Sequence, residues 1–271
     1  MRHDLTNATF IIPVRVETED RLRNVVTTTA FLLENFDTNI IIKEVDREST
    51  IKKHVIPTLE DILDVDVNIN HIFEWSEDPA FHRQKVLNEM LVESKTEVVV
   101  NYDCDVILPI DSYLTAYKGI LDKTYDVIYP YGQGNYQRQV DADDSLVSKF
   151  LETGDYSVLD EKSNVHTSDF GWAQFFNRQV YIDGGMENEN FVAYAPEDKE
   201  RFYRFVTLGY NVGRVQDVVY HLEHARGENS WTHNPHMEKN HYEWMKIQTM
   251  SKEEVVEYYS NQEYLKKYVS V

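Results

Sequence analysis

A single cysteine, Cys104, stands among the 271 residues. No intrachain disulfide can form, and nothing in the chain points to an oxidising compartment. Long apolar runs are missing as well: none approaches the roughly 20 residues that a helix needs to cross a bilayer, so no membrane insertion is expected. The start, Met1-Arg2-His3-Asp4, lacks the apolar region of a secretory signal. The expectation is a soluble, cytoplasmic protein. Positive charge is also scarce, since 27 Lys and Arg against 47 Asp and Glu leave a formal net charge of −20. Sequence-independent attachment to nucleic acid depends on clustered cations, so no nucleic-acid partner is expected. A small anionic ligand is still compatible with this chain if its few cations are concentrated in one place, or if a bound metal reverses the local field. What is present is enough apolar material for a core. A hydrophobic content of 42% with 13% aromatics excludes disorder, and the length suits one large α/β domain with appendages.

The chain alternates strand and helix patterns. Ala8 to Val14 reads as a first strand, and Thr18 with Glu19 and Asp20 as the capped, acid-rich start of a helix carrying Leu22, Val25, Leu32 and Phe36. Strands follow at Asn39 to Val45 and Val67 to Phe73, with helices at Lys52 to Leu63 and Phe81 to Val92. Val98-Val99-Val100 is a β-branched run without alternation, the pattern of a strand covered on both faces. Further on, Tyr113 to Leu121 reads as a helix and Tyr125 to Tyr129 as a strand; the polar stretch Asp141 to Ser168, with a helix at Ser145 to Glu152, has the character of a lid. Phe170 to Phe176, Asn211 to Val215 and Val218 to Tyr220 read as strands. Asn234-Pro235 opens a helix, and Ser251 with Glu254 forms a capping box for the last one. The expected architecture is a mostly parallel, helix-covered sheet over residues 1–233, with a helical extension over 234–271 packed on it.

The chemistry gathers behind the valine run, at Asn101-Tyr102-Asp103-Cys104-Asp105. The C-terminal ends of parallel strands are where such sheets bind ligands. In an extended segment Asp103 and Asp105 project to one side, able to grip one divalent cation or to divide the work between a cation and a hydroxyl. The competing reading is a solvated acidic turn. His221 and His224 sit three apart at a strand end and can face one point only if the chain turns there, which Gly227 would permit. Imidazole with carboxylate favours manganese over magnesium; otherwise these are surface histidines. Glu197 and Asp198 follow Pro196, where acids complement a helix dipole, or where one carboxylate can serve a cleft as general base. Arg15, Arg83 and Lys85 each lie near a strand end or the start of the next helix, where a diphosphate could meet them; the alternative is a solvated charge.

Six segments, in order, resemble a GT-A (Rossmann-like) glycosyltransferase of the β-1,4-galactosyltransferase kind. Ile12-Pro13-Val14-Arg15 is similar to its Pro-Phe-Arg nucleotide loop, with Val14 in place of Phe, and Phe81-His82-Arg83-Gln84-Lys85 to its Phe-Asn-Arg-Ala-Lys helix. Asp103 to Pro109 resembles its Asp-x-Asp segment and the following Pro. Phe170-Gly171-Trp172 stands where Phe-Gly-Gly is expected, the second Gly being lost. Asn190 to Asp198 is similar to Trp-Gly-Trp-Gly-Gly-Glu-Asp, and His221-Leu222-Glu223-His224 to a Met-x-x-His metal pair. The resemblance implies manganese, with magnesium as a substitute, on Asp105, His221 and His224, and a uridine diphosphate sugar met by Pro13, Arg15, Arg83, Lys85, Asp103, Asp105 and Trp172. It implies Asp198 as base, Glu197 on a glycan or other hydroxyl acceptor, and inversion at the anomeric carbon. With Ala193-Tyr194-Ala195 in place of Trp-Gly-Trp, galactose is not implied. The rival readings are a sugar nucleotidyltransferase, which would release pyrophosphate, and a catalytically silent glycan-binding module.

Overall fold

The computed structural model describes residues 2–269 apart from 167, 169, 195, 228 and 230–232, so Ala195 of the last-named motif lies outside the described residues. The chain runs β1 (His3–Val14), α1 (Glu19–Asn35), β2 (Phe36–Asp46), α2 (Ile56–Ile62), β3 (Asn70–Trp75), α3 (Arg83–Glu93), β4 (Val98–Tyr102) and β5 (Val106–Ile107). It continues through α4 (Ile110–Leu121), β6 (Val127–Tyr129), β7 (Gln137–Val140), α5 (Asp144–Thr153), α6 (Ser157–Asp160), β8 (Ser163–Val165) and β9 (Ala173–Asn177). After α7 (Arg178–Asp183) come α8 (Glu197–Leu208), β10 (Val212–Arg214), β11 (Val219–Leu222), α9 (Met237–Ile247), α10 (Lys252–Ser260) and α11 (Leu265–Val269).

Seven strands form the main sheet in the order β10-β6-β9-β4-β1-β2-β3. All its pairs are parallel except those of β9, which runs antiparallel to both β4 and β6. Val98, Val99 and Val100 are fully buried at its centre, as a strand covered on both faces requires. A second sheet, β5-β11-β7-β8, stands beyond the end of β4 and carries His221.

Element boundaries differ from the sequence pattern where a local cause overrides it. The helix expected from Lys52 to Leu63 opens as a wide π-type turn, Ile51–Val55, in which the Ile56 amide bonds to the Ile51 carbonyl. Pro57 has no N–H to offer the preceding turn, and the wider spacing accommodates it. The stretch with lid character is packed instead: Asp143 caps α5 through the Leu146 amide, and the buried Phe150 stacks on Phe31 of α1 at 5.9 Å between centroids. Strand β8 then pairs with β7.

The C-terminal helices dock through charged groups that are buried and satisfied. Arg201 on α8 donates to both oxygens of Glu187 at 2.6 and 3.0 Å and to Gln174 at 3.0 Å. Arg204 donates to Glu200 at 2.8 Å, and the Tyr259 hydroxyl of α10 donates to the same carboxylate at 2.6 Å. Gly185, at φ +94, lets the Tyr259 ring approach where a Cβ would sit 2.4 Å away. Arg201→Met should leave Glu187 charged, buried and unpaired, lowering stability by about 3 to 5 kcal/mol in urea unfolding. A loss below about 1 kcal/mol would show that solvent reaches Glu187 and replaces the pair.

Candidate functional site

The two-residue strand β5 starts immediately after Asp105 and pairs antiparallel with β11, with His221 opposite Val106. The Leu222 amide donates to the Asp105 carbonyl at 2.8 Å, which fixes His221 beside that carboxylate. Strand β11 ends at Leu222. There Asn24 of α1 donates its amide to the Leu222 carbonyl at 2.8 Å, and Arg23 donates to the Glu223 carbonyl at 3.1 Å. The turn held by these bonds returns His224 to the side of His221, overcoming the opposite-face geometry of an extended chain. His221 Nε2 lies 3.6 Å from Asp105 Oδ1, and His224 Nε2 lies 3.3 Å from Asp105 Oδ2. All three residues are buried, and their donor atoms fall within 4.8 Å of one another.

The hydrogen-bond roles leave this triad able to hold a cation. His224 Nδ1 is 2.8 Å from the Ala225 carbonyl, which can only accept, so the ring proton lies on Nδ1. In the neutral ring Nε2 then presents a lone pair to Asp105 Oδ2. Two acceptors at 3.3 Å require a proton or a metal between them. Asp105 Oδ1 is buried and accepts no hydrogen bond among the described residues. Burial would raise the Asp105 carboxyl, but His221 and His224 in their protonated forms, with Arg21, hold it well below the usual carboxylate range. Burial lowers His221 and favours its neutral, metal-binding form. Donor atoms each about 2.1 Å from one ion lie about 3 Å apart in an octahedral shell, close to the spacing seen here. Burial drives the Cys104 thiol well above its ordinary value, and it serves as a small buried spacer.

Asp103 takes the other direction. Its Oδ1 accepts from Arg83 at 2.5 Å, and Arg83 also donates to Asn101 at 3.3 Å. Asp103 and Asp105 therefore divide the work: one carboxylate faces the histidines and the other a guanidinium. Lys85 lies two residues beyond Arg83, about 200° around the helix, and meets Glu74 at 3.3 Å and Glu89 at 3.7 Å beside the buried Lys43. Arg15 donates to the carbonyls of Val45, Asp78 and Pro79 at 2.9, 3.1 and 3.0 Å and lies over the Phe81 ring, so it ties the 76–81 loop to β2. Pro13 is buried within β1 opposite Lys43.

Trp172 joins the two halves. Its ring stacks on His221 at 5.7 Å and 24°, and its carbonyl accepts from the Asp103 amide at 2.9 Å. Its backbone sits at φ +72, a region that favours glycine and costs a bulky residue roughly 1 to 3 kcal/mol. Here the glycine of the resembling motif is lost, and Trp172 holds a backbone conformation that favours glycine. The bend also delays β9 to Ala173, past the expected start at Phe170. Tyr131 donates its hydroxyl to the Gly171 carbonyl, and Gln174 donates to the same carbonyl at 2.7 Å. Ala193, in the segment resembling Trp-Gly-Trp, likewise lies at φ +58.

Glu197 and Asp198 close the cluster at the N-terminus of α8. Asp198 Oδ1 accepts from the Lys199 amide at 2.7 Å, and a Cβ on Gly171 would stand 3.4 Å from Asp198 Oδ2. Burial raises the Asp198 carboxyl. Glu197 is 7% exposed, with an Oε2 that has no hydrogen-bond partner among the described residues. Burial and then the neighbouring Asp198 charge push its carboxyl up to about 7, against the opposing pull of Arg83. Tyr194 is 45% exposed, and partial burial of its phenol, with the charges of Asp198 and Glu197, raises it to about 12. Sequence reasoning passed over Arg21 and Asn24; the available signal was a pair of polar residues three apart on a helix otherwise marked by its apolar spacing.

No protein-family model matches the chain, and no curated protein is detectably similar to it. Solved structures are. A mannosyltransferase, PcManGT from Pyrobaculum calidifontis in complex with GDP-Man and Mn2+, superposes with a TM-score of 0.54 at 16% identity, covering 96% of this chain and 69% of that one. S. aureus TarS 1–349, in complex with UDP-GlcNAc, does so with a TM-score of 0.56 at 10% identity, covering 94% and 71%. The likeness is one of fold: the mostly parallel sheet covered by helices is the GT-A arrangement expected from the motifs.

Proposed function

We propose that the chain is a metal-dependent, inverting glycosyltransferase that moves a hexose from a nucleoside-diphosphate sugar, UDP-linked, to a hydroxyl of a glycan or other acceptor. The observation that carries this reading is the pair of facing acceptors, Asp105 Oδ2 and His224 Nε2 at 3.3 Å, beside the Arg83–Asp103 pair. Asp105, His221 and His224 would hold manganese, which offsets the charge growing on the departing diphosphate. Arg83 meets a phosphate oxygen from the other side, with Asp103 and Asn101 fixing its guanidinium. Trp172 holds His221 and the Asp103 backbone in register. Asp198 accepts the proton of the acceptor hydroxyl as that oxygen bonds to the anomeric carbon and the bond to the diphosphate breaks on the opposite face. Glu197, buried beside it and pushed up to about 7, can donate a hydrogen bond to the acceptor in its protonated form. The segment 234–271 acts as a supporting extension.

Incubation with a panel of nucleotide sugars and manganese should release a nucleoside diphosphate from one of them, faster with a hydroxyl acceptor and not at all with chelator. Pyrophosphate as the product would make the chain a nucleotidyltransferase, and no turnover of any donor would leave only the binding-module reading. Arg83→Ala should weaken nucleoside-diphosphate binding by roughly 1.5 to 3 kcal/mol, the worth of a charged hydrogen bond. Unchanged affinity by calorimetry would reduce Arg83 to a partner of Asp103.

A further inference from the structure

We propose that Arg21 is a phosphate-binding residue of this site, donating from its guanidinium to the diphosphate of the nucleotide; the proposal rests on the transferase reading. Arg21 lies in the first turn of α1, and its amide donates to the Thr18 hydroxyl at 3.3 Å. That end of α1 is fastened to the metal-site loop. Asn24 binds the Leu222 carbonyl, between the two histidines, and Asp20 accepts from the Ala225 amide at 3.3 Å. Arg21 and Asn24 are three apart and share one face of the helix, so Arg21 faces the same loop.

The guanidinium is poorly satisfied as it stands. Arg21 Nε is buried and makes no hydrogen bond among the described residues, and the Glu17 carboxylate lies 4.0 Å away. A buried donor without an acceptor is costly, and a planar fork suits phosphate oxygens. With two neutral histidines and one carboxylate, a divalent ion gives the triad a formal charge of about +1, to which Arg21 and the partial positive charge of the α1 N-terminus add. Glu17, 4.0 Å from Arg21, and Glu223, 3.9 Å from His221, offset part of this charge in a chain whose net charge is −20. Arg83 lies on α3 against Asp103, and Arg21 on α1, the helix that Asn24 ties to the histidine turn, so the two guanidiniums belong to different halves of the site.

The test compares the parent, Arg21→Ala and Arg21→Lys by calorimetry in manganese, with UDP and GDP each set against its monophosphate, and with manganese alone. Arg21→Ala should weaken diphosphate binding by about tenfold to a hundredfold, weaken the monophosphate less, and not weaken the binding of manganese alone. Arg21→Lys, which keeps the charge without the fork, should fall between. Diphosphate affinity within twofold of the parent, or an equal loss for manganese alone, would overturn the proposal and make Arg21 a structural charge. A parent that binds neither diphosphate would overturn the transferase reading itself, and the Arg21 contact with it.

Discussion

Asp198→Asn should leave a folded protein that binds its donor with manganese but transfers on the order of a hundredfold to ten-thousandfold more slowly. An amide cannot take a proton from the acceptor. It can reproduce most of what the carboxylate does for the helix, since Asp198 Oδ1 accepts only from the adjacent Lys199 amide among the described residues. Asparagine should keep that bond, and the lost charge at a helix N-terminus is worth about 0.3 to 1 kcal/mol. Three measurements separate the roles: melting temperature, donor affinity, and transfer rate with a cognate acceptor. A variant that transfers within a few-fold of the parent removes Asp198 from catalysis and passes the role to Glu197. The substitution also deletes the neighbouring charge that helps to push Glu197 up to about 7. Glu197 should therefore titrate at lower pH in the variant, a shift that carbon-detected NMR of the carboxyl can follow.

Asp105→Asn should abolish manganese dependence and lower turnover by on the order of a thousandfold, because stabilising the leaving diphosphate is worth several kcal/mol, at tenfold per 1.4 kcal/mol. Its effect on the metal-free fold should be small. The parent sets a buried carboxylate against the lone pair of His224 Nε2 at 3.3 Å, whereas asparagine offers that nitrogen an N–H. Manganese should raise the melting temperature of the parent, by the equivalent of about 2.7 kcal/mol at a hundred times its Kd, and should not move that of the variant. Full activity of Asp105→Asn with chelator present would exclude the site.

Local patterns were enough to place most elements and the chemistry-bearing stretch. Val98 to Val100 has no polar position to turn outward, so it had to be an interior strand, and the carboxylates after it had to lie at a sheet edge. Thr18 and Ser251 mark helix starts because their hydroxyls accept amides within the same turn, and both do so. Three features depended on contacts across long stretches of chain. A two-residue strand such as β5 has no readable period, yet its pairing with β11 is what sets His221 beside Asp105. The turn that returns His224 is made by side chains of α1, about 200 residues earlier in the chain. The glycine-like backbone of Trp172 left no mark in the sequence, because the residue there is not glycine; bonds from Tyr131, Gln174 and Asp103 hold it. Spacing along the chain determined which residues could carry the chemistry. Which of them meet, with Asp103 turned to Arg83, Asp105 to the histidines and Lys85 to Glu74, was decided by the sheet pairing and helix faces that orient each side chain.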